Sequence, residues 1–279
     1  MPIVAIVAPG AMGAAVGGRL VEHGVDVITL LHGRSPASAA RAQAAGIQGV
    51  DLSDLAKADI VLSIVPPGEA MALAQTLAPV LRGAASNPVY ADCNAVSPQT
   101  AERVAGVLQG QGVRFVDAGI IGGPPKSGMP GPVFYTSGPD APALDRLARH
   151  GLRVSDLHGP LGAASGLKMS YAGITKGLTA LTAAMMLAAT RFGAAPALAA
   201  ELASSQPDLV KYFTRSVPDM YPKAYRWVAE MEEIATFAGE DAATHEIYTG
   251  IAALYKRLAV DQAGPNQEIG DLDAFLGRS

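Results

Sequence analysis

The chain has 279 residues, enough for one large or two moderate domains. Its 21 basic and 25 acidic residues leave a net charge of −4, which argues against a nucleic-acid partner or a polybasic membrane surface. One cysteine, Cys93, excludes an internal disulfide framework and points to a reducing, cytoplasmic setting.

Residues 3–7, Ile-Val-Ala-Ile-Val, read as an apolar strand rather than a signal peptide. They run into Ala8-Pro9-Gly10-Ala11-Met12-Gly13 and then into an Ala- and Val-rich helix ending near His23. Strand, tight turn and helix start together present free backbone N–H groups and a partial positive charge to a dinucleotide pyrophosphate. The match to G-x-G-x-x-G is incomplete, because Ala8 stands at the first glycine position. Gly10 and Gly13 keep the other two places, for close approach of the backbone to the pyrophosphate and for close helix–strand packing. Pro9 is expected to push Ala8 toward an extended conformation.

A second strand is predicted over 25–31, a helix from Arg34-Ser35-Pro36 to about Ala45, and a short strand over 47–50. An NAD site usually places an acidic residue about 20 residues past the glycines, on the ribose 2′-hydroxyl. No Asp or Glu occurs between residues 27 and 50. Arg34 and Ser35 stand 21 and 22 residues after Gly13, with His32 beside them. A guanidinium and a hydroxyl suit a 2′-phosphate, so NADP is expected over NAD.

Residues 58–65 form an apolar strand ended by Pro66-Pro67, and a helix follows over 69–81. Further strands are predicted over 89–91 and 113–117, separated by a helix that Ser97-Pro98 opens and that runs to about Gln109. Late strands over 133–137 and 152–155 flank a short helix. Strands alternating with helices, apolar throughout at the centre, predict an α/β domain with a doubly wound, mainly parallel sheet. From about Leu161 the pattern is all helical, with breaks near 193–196, 206–207, 217–218 and 221–222. The predicted domains are 1–160 for the cofactor and 161–279 for substrate and dimerisation. The most apolar run, 177–190, is too short to span a bilayer and reads as a buried helix. Five scattered histidines offer no metal-ligand spacing, so no metal is expected.

Ala8-x-Gly10-x-Met12-Gly13, the run 58–66, and Asp117-Ala118 followed by Gly122-Gly123 resemble the β-hydroxyacid dehydrogenases. That group includes 3-hydroxyisobutyrate dehydrogenase, glyoxylate reductases and 6-phosphogluconate dehydrogenase. The run 225–235 is similar to a poorly characterised helical domain attached to phosphogluconate-dehydrogenase-like Rossmann domains. The resemblance implies a Rossmann domain followed by a helical one. With the spacing argument for His32, Arg34 and Ser35, the cofactor is expected on Ala8, Gly10, Ala11, Met12, Gly13, His32, Arg34, Ser35, Val65, Pro66 and Asn94. The substrate is expected near Asn94, Ile121, Gly122, Gly123, Tyr171, Ala172 and Tyr225, the two tyrosines as candidates of this chain rather than family positions. Lys168 matches the family's catalytic lysine, whose ammonium hydrogen-bonds the substrate oxygen and exchanges its proton as hydride moves. Burial on an apolar helix is expected to bring that ammonium toward the working pH. The same resemblance implies a homodimer.

The departures bear on the substrate. Ala172 stands where the family has an asparagine, and Ile121 where its Ser-Gly-Gly run would begin. Asp92-Cys93-Asn94-Ala95 replaces Asp-x-Ser-Thr, with Asn94 facing the ribose or substrate, or capping the next helix. Tyr171, Thr175, Tyr225 and Arg226 are candidate replacements, although Arg226 is expected to pair with Glu230 one turn on. Lys176, two turns beyond Lys168, has no family counterpart. Cys93 reads as a small buried hydrophobe. The expected activity is NADP-dependent interconversion of an alcohol, a hydroxyacid or a related substrate, and a carbonyl. The substrate is expected to be larger or less dependent on a carboxylate than the small hydroxyacids. Two alternatives stay open: an imine reductase of the same architecture, which typically lacks the lysine, and a non-catalytic NADP-binding redox sensor.

Overall fold

The computed structural model describes residues 2–278. The chain divides into two compact units, Met1–Met169 and Ser170–Ser279.

The first unit is built on eight strands: β1 Ile3–Val7, β2 Asp26–Leu30, β3 Gln48–Val50, β4 Ile60–Ser63, β5 Val89–Asp92, β6 Arg114–Ile121, β7 Val133–Ser137 and β8 Arg153–Asp156. They form one sheet in the order β3-β2-β1-β4-β5-β6-β7-β8. Every pairing is parallel except β6 with β7. Helices α1 Ala11–Glu22, α2 Pro36–Ala44, α3 Ala70–Leu81 and α4 Pro98–Gln109 connect the first strands. The chain leaves β1 toward β2 on one side and later returns to β4 on the other. That reversal opens a crevice at the C-terminal end of β1, where ligands of such sheets bind.

Alternation along β1 explains why it reads as an unbroken apolar run. Val4 and Ile6 join one core with Val16, Leu20, Ile60 and Leu62. Ala5 and Val7 join the core on the other face with Val61, Leu77 and Tyr90. Both faces of the strand are covered, so neither tolerates a polar side chain. The buried Thr29 hydroxyl donates to the Ile6 carbonyl at 2.6 Å. Helices α2 and α4 start where Ser-Pro predicts: the Ser35 and Ser97 hydroxyls accept from the Ser38 and Thr100 N–H groups.

Three local expectations change. Strand β6 runs on to Ile121, because β7 pairs antiparallel with it from Asp117↔Ser137 to Ile121↔Val133. A 3-10 helix, Leu52–Lys57, sits between β3 and β4. The predicted short helix before β8 is a 3-10 helix, Ala141–His150, ended by Gly151 at φ 81°.

The long helix α5, Ala163–Arg191, begins in the first unit and continues through the second. It is far longer than the apolar run 177–190, and by length and composition alone it could cross a membrane. However, Ala172, Ala180, Ala183, Met186 and Leu187 are buried within the chain, as in a core helix. The second unit adds α6 Ala195–Ser205, α7 Pro207–Met220, a 3-10 turn Tyr221–Lys223, α8 Ala224–Phe237, α9 Ala242–Ala263 and α10 Gln267–Phe275. The break expected at 217–218 is absent: Pro218 lies inside the last turn of α7. Pro218 brings no N–H to the last turn, and the Tyr221 N–H donates to its carbonyl, so the helix continues past it. Asp241 caps α9 by accepting from the Ala243 and Thr244 N–H groups. Asp261 accepts from Gln267 and Ile269 N–H at the start of α10.

Candidate active site

The turn after β1 differs from its expected conformation. Ala8 has φ 70°, in the left-handed region, rather than extended. Proline restricts the residue before it through sterics worth less than the demands of the fold here: the Gly10 N–H closes back on the Ala8 carbonyl at 2.8 Å. Glycine would adopt this conformation without a Cβ penalty, which is why the motif has one there. Gly13 packs as its spacing predicts. A Cβ on Gly13 would stand 2.6 Å from the Ala8 carbonyl oxygen and 3.2 Å from Ile6 Cγ2, so α1 packs on β1 only without one. A Cβ on Gly10 would meet nothing within 4 Å, leaving the backbone open to a ligand. Helix α1 begins with no side-chain cap and no acidic residue in its first turn. Ala11 is exposed and Met12 half-buried at this helix start. The uncapped start suits the anionic phosphates of a dinucleotide.

Beside this turn, β2 ends in a tight loop. The Arg34 N–H donates to Leu31 O at 3.0 Å, and Gly33 has φ 72°. His32 is exposed on the loop. Helix α2 adds two residues that the sequence reading missed. Arg41 Nε donates to the Pro9 carbonyl at 3.1 Å, and its Nη2 donates to Ser38 Oγ at 2.9 Å. The Ser35 and Ser38 hydroxyls lie 3.2 Å apart. Arg41 lies in α2, whose N-cap Ser35 directly follows Arg34, and this second arginine close after the first was the available signal. The absence of a carboxylate from 27–50 also proves incomplete as an argument. Glu69, 35 residues further along the chain, brings its Oε2 to 3.8 Å from Arg34 Nη1.

Asn94 neither caps α4, which Ser97 does, nor stands loose. Its Oδ1 accepts from the Val65 N–H at 2.6 Å, its Nδ2 donates to Ser63 Oγ at 2.9 Å, and its own N–H donates to Asp92 Oδ1 at 3.0 Å. It is 3% exposed. The amide therefore ties the end of β4, with Val65 buried and Pro66 exposed, to the end of β5. Cys93 beside it is buried, and burial first, then the Asp92 and Asp117 charges, pushes its thiol well up.

Asp117 organises the far side of the sheet. It is fully buried, and its carboxylate accepts three hydrogen bonds. Ser165 Oγ donates to Oδ1 at 2.6 Å, and the Ser165 N–H and Ser137 Oγ donate to Oδ2 at 3.0 and 2.8 Å. Ser137 Oγ in turn accepts from the Ala164 N–H at 3.0 Å. A carboxylate thus satisfies the first turn of α5, where a negative charge complements the helix dipole. Gly119 permits the approach: a Cβ there would lie 2.7 Å from the Ala164 carbonyl oxygen and 3.1 Å from Lys168 Cβ. Lys168, one turn after Ser165, donates from Nζ to the Ile120 carbonyl at 2.8 Å. Its ammonium is held at the end of β6, next in sequence to half-buried Ile121 and exposed Gly122 and Gly123. Gly122 has φ 124°, with Pro132 Cα 3.0 Å from where a Cβ would be.

Tyr171, Ala172 and Tyr225 belong to the second unit. Ala172 is buried; Tyr171 and Tyr225 are exposed. Tyr171 lines a cavity of about 390 Å³ with Thr175, Lys176, Tyr212, Arg215 and Trp227. The Thr175 hydroxyl is turned back to its own helix, donating to Tyr171 O at 2.9 Å. The expected Arg226–Glu230 pair does not form. Glu230 pairs instead with Lys176, whose Nζ also lies 4.8 Å from the Trp227 ring centroid. Arg226 stacks toward Tyr225. Desolvation lowers the Lys176 ammonium from its usual range, opposed by the Glu230 charge. A long side chain from a neighbouring helix thus won the carboxylate over the one-turn partner, because the buried charge most needs compensation.

A family model for the NAD binding domain of 6-phosphogluconate dehydrogenase matches residues 3–149, and a domain of unknown function, DUF1932, matches residues 189–258. An uncharacterised 28.5 kDa protein of Methanothermus fervidus, encoded in a 7S RNA 5′ region, is 31% identical over 159 residues. That match spans 56% of this chain and only 59% of the relative's length. Among solved structures, a conserved protein of unknown function, described as structurally similar to 3-hydroxyacid dehydrogenases, aligns with a TM-score of 0.71 at 26% identity over 97% of this chain and 99% of that one. The 3-hydroxyisobutyrate dehydrogenase of Mycobacterium tuberculosis, solved with L-serine, shares the fold with a TM-score of 0.72 at 19% identity over 94% of this chain and 95% of its own.

Proposed function

Because the chain belongs to the family of the 6-phosphogluconate dehydrogenase NAD binding domain, we propose that it is an NADP-dependent oxidoreductase that interconverts an alcohol and a carbonyl, with Lys168 as general acid and base. The observation that carries this reading is the uncapped, acid-free start of α1, set against a turn whose Gly13 leaves no room for a Cβ. Those features fit a dinucleotide pyrophosphate. Arg34, Ser35, Ser38 and Arg41 would hold a 2′-phosphate through charge-assisted hydrogen bonds. When bound, the nicotinamide accepts or supplies the hydride. Lys168 hydrogen-bonds the substrate oxygen and takes the hydroxyl proton in oxidation or returns it in reduction. The Asp117–Ser137–Ser165 network keeps the first turn of α5, and hence Lys168, in place. Asn94 positions the Val65 segment.

Ala172 and Ile121 stand at positions where the resembled family carries polar residues, which supports a substrate larger or less carboxylate-dependent than a small hydroxyacid. Lys168 also weighs against imine reduction as the main activity, since imine reductases of this architecture typically lack the lysine. The test is a nicotinamide-absorbance screen over hydroxyacids, polyols, aldehydes and cyclic imines, run with NADP and NAD in parallel. Turnover of an alcohol or carbonyl with NADP supports the reading. NADP binding with no turnover of any class would favour a sensor.

We also infer a homodimer formed through α5. Tyr171, Ile174, Leu178, Leu181 and Met185 recur at three- and four-residue spacing along α5 and are all exposed, and Phe192, just past the end of the helix, is 88% exposed. Such a stripe along one helix is larger than solvent normally faces, and a second copy would cover it. Light scattering should report a dimer that Ile174→Glu with Leu181→Glu converts to monomer. A monomeric wild type would refute it.

A further inference from the structure

Arg34 and Glu69 follow the C-terminal ends of the two strands that flank β1, since the sheet order there is β2-β1-β4. Each sits on a turn with a fixed backbone. The Arg34 turn is closed by its N–H on Leu31 O. The Glu69 turn is closed by its N–H on Pro66 O at 2.9 Å and tied down by Asn94 at Val65. The two side chains reach toward each other from these turns and meet at 3.8 Å. The Arg34 side chain is 28% exposed and that of Glu69 55% exposed. The pair is therefore a loose, solvated one, formed beyond the C-terminal ends of the two strands beside β1.

We propose that Glu69 is a specificity-determining residue that tempers the choice of NADP, by holding Arg34 in competition with the 2′-phosphate. This rests on the reading of Arg34 as the 2′-phosphate ligand. A phosphate arriving at Arg34 must displace the carboxylate and then stands near its negative charge. A ribose 2′-hydroxyl carries no charge, meets no such repulsion and could donate to the same carboxylate. Glu69 thus does from the turn after β4 part of what an acidic residue at the end of β2 does in NAD sites, and its hold on Arg34 is weak enough to be exchanged.

The experiment is isothermal titration of wild type, Glu69→Gln, Arg34→Gln and the double variant with NADPH, NADH, 2′,5′-ADP and 5′-AMP. Glu69→Gln should tighten NADPH and 2′,5′-ADP by roughly three- to fivefold, the equivalent of a surface ion pair, and leave NADH and 5′-AMP within twofold. The gain should shrink in the Arg34→Gln background. Unchanged or weaker binding of NADPH to Glu69→Gln overturns the proposal, the latter by showing that Glu69 orients Arg34 for phosphate. If Arg34→Gln weakens NADPH selectively while Glu69→Gln has no effect, only the role of Glu69 fails. If Arg34→Gln leaves NADPH binding intact, or wild type binds neither dinucleotide, the 2′-phosphate reading fails with it.

Discussion

Replacing Asp117 by alanine should damage the protein more than any surface change, and the size of the effect follows from its three donors. The Ser165 N–H, Ser165 Oγ and Ser137 Oγ all donate to this carboxylate, and Asp117, Ser137 and Ser165 are buried. An unsatisfied buried donor costs about 1–3 kcal/mol. The hydroxyls can rotate toward other acceptors, so we assign them the low end and the fixed Ser165 N–H the middle. Adding the lost interaction with the α5 dipole, about 0.3–1 kcal/mol, gives roughly 4.5 kcal/mol in all. Asp117→Asn keeps the volume and one acceptor but turns an NH₂ group toward a donor, and should cost about half as much. Urea denaturation followed by circular dichroism measures both, and hydrogen exchange at the Ser165 amide reports the local effect. The alanine variant should also lose turnover, because the Lys168 turn begins at this cap. A loss below about 1 kcal/mol, with Ser165 still protected, would refute the claim that Asp117 anchors α5.

Ala8→Gly should stabilise the chain by about 1 kcal/mol, since alanine is strained at φ 70°; a lower thermal midpoint would count against the turn as described. Lys176→Met alone should destabilise by about 3 kcal/mol by leaving Glu230 without its partner, whereas Lys176→Met with Glu230→Leu should recover most of that. Equal losses in single and double variants would show that the pair itself stabilises the helical unit. The Cys93 thiol, raised by burial, keeps its proton in the folded state while the unfolded thiol ionises near about pH 8.5. Its contribution is therefore full below that pH and is lost as pH rises above it, by up to about 1.4 kcal/mol per unit. Urea midpoints from pH 7.5 to 10 should fall less steeply for Cys93→Ala; identical slopes would contradict the burial.

Local signals made much of the fold legible. Unbroken apolar runs marked β1 and β4, because both faces of a central parallel strand are covered, and Ser-Pro pairs marked the starts of α2 and α4. Gly13 could be assigned a packing role from spacing alone. What stayed hidden depends on partners distant in the chain. The last residues of β6 are strand only because β7 returns to pair with them. Asp117 could be placed at a strand end and in a family-like motif, yet its partners lie 20 and 48 residues away. Glu69 reaches Arg34 from the turn after β4, so a search for carboxylates near the second strand could not find it. Ala8 is bent by the closing of its own turn against the preference Pro9 imposes. At Glu230, competition between a local and a long-range cation was settled by burial, which spacing does not encode.

The central claim is tested most directly by Lys168→Ala, assayed with the substrate identified by the screen and titrated with NADPH. A lysine acting as general acid and base predicts a fall in kcat of about a hundredfold or more, with the Kd for NADPH held within about threefold, because the ammonium contacts substrate oxygen and not the pyrophosphate turn. Turnover close to wild type in that variant would contradict the account.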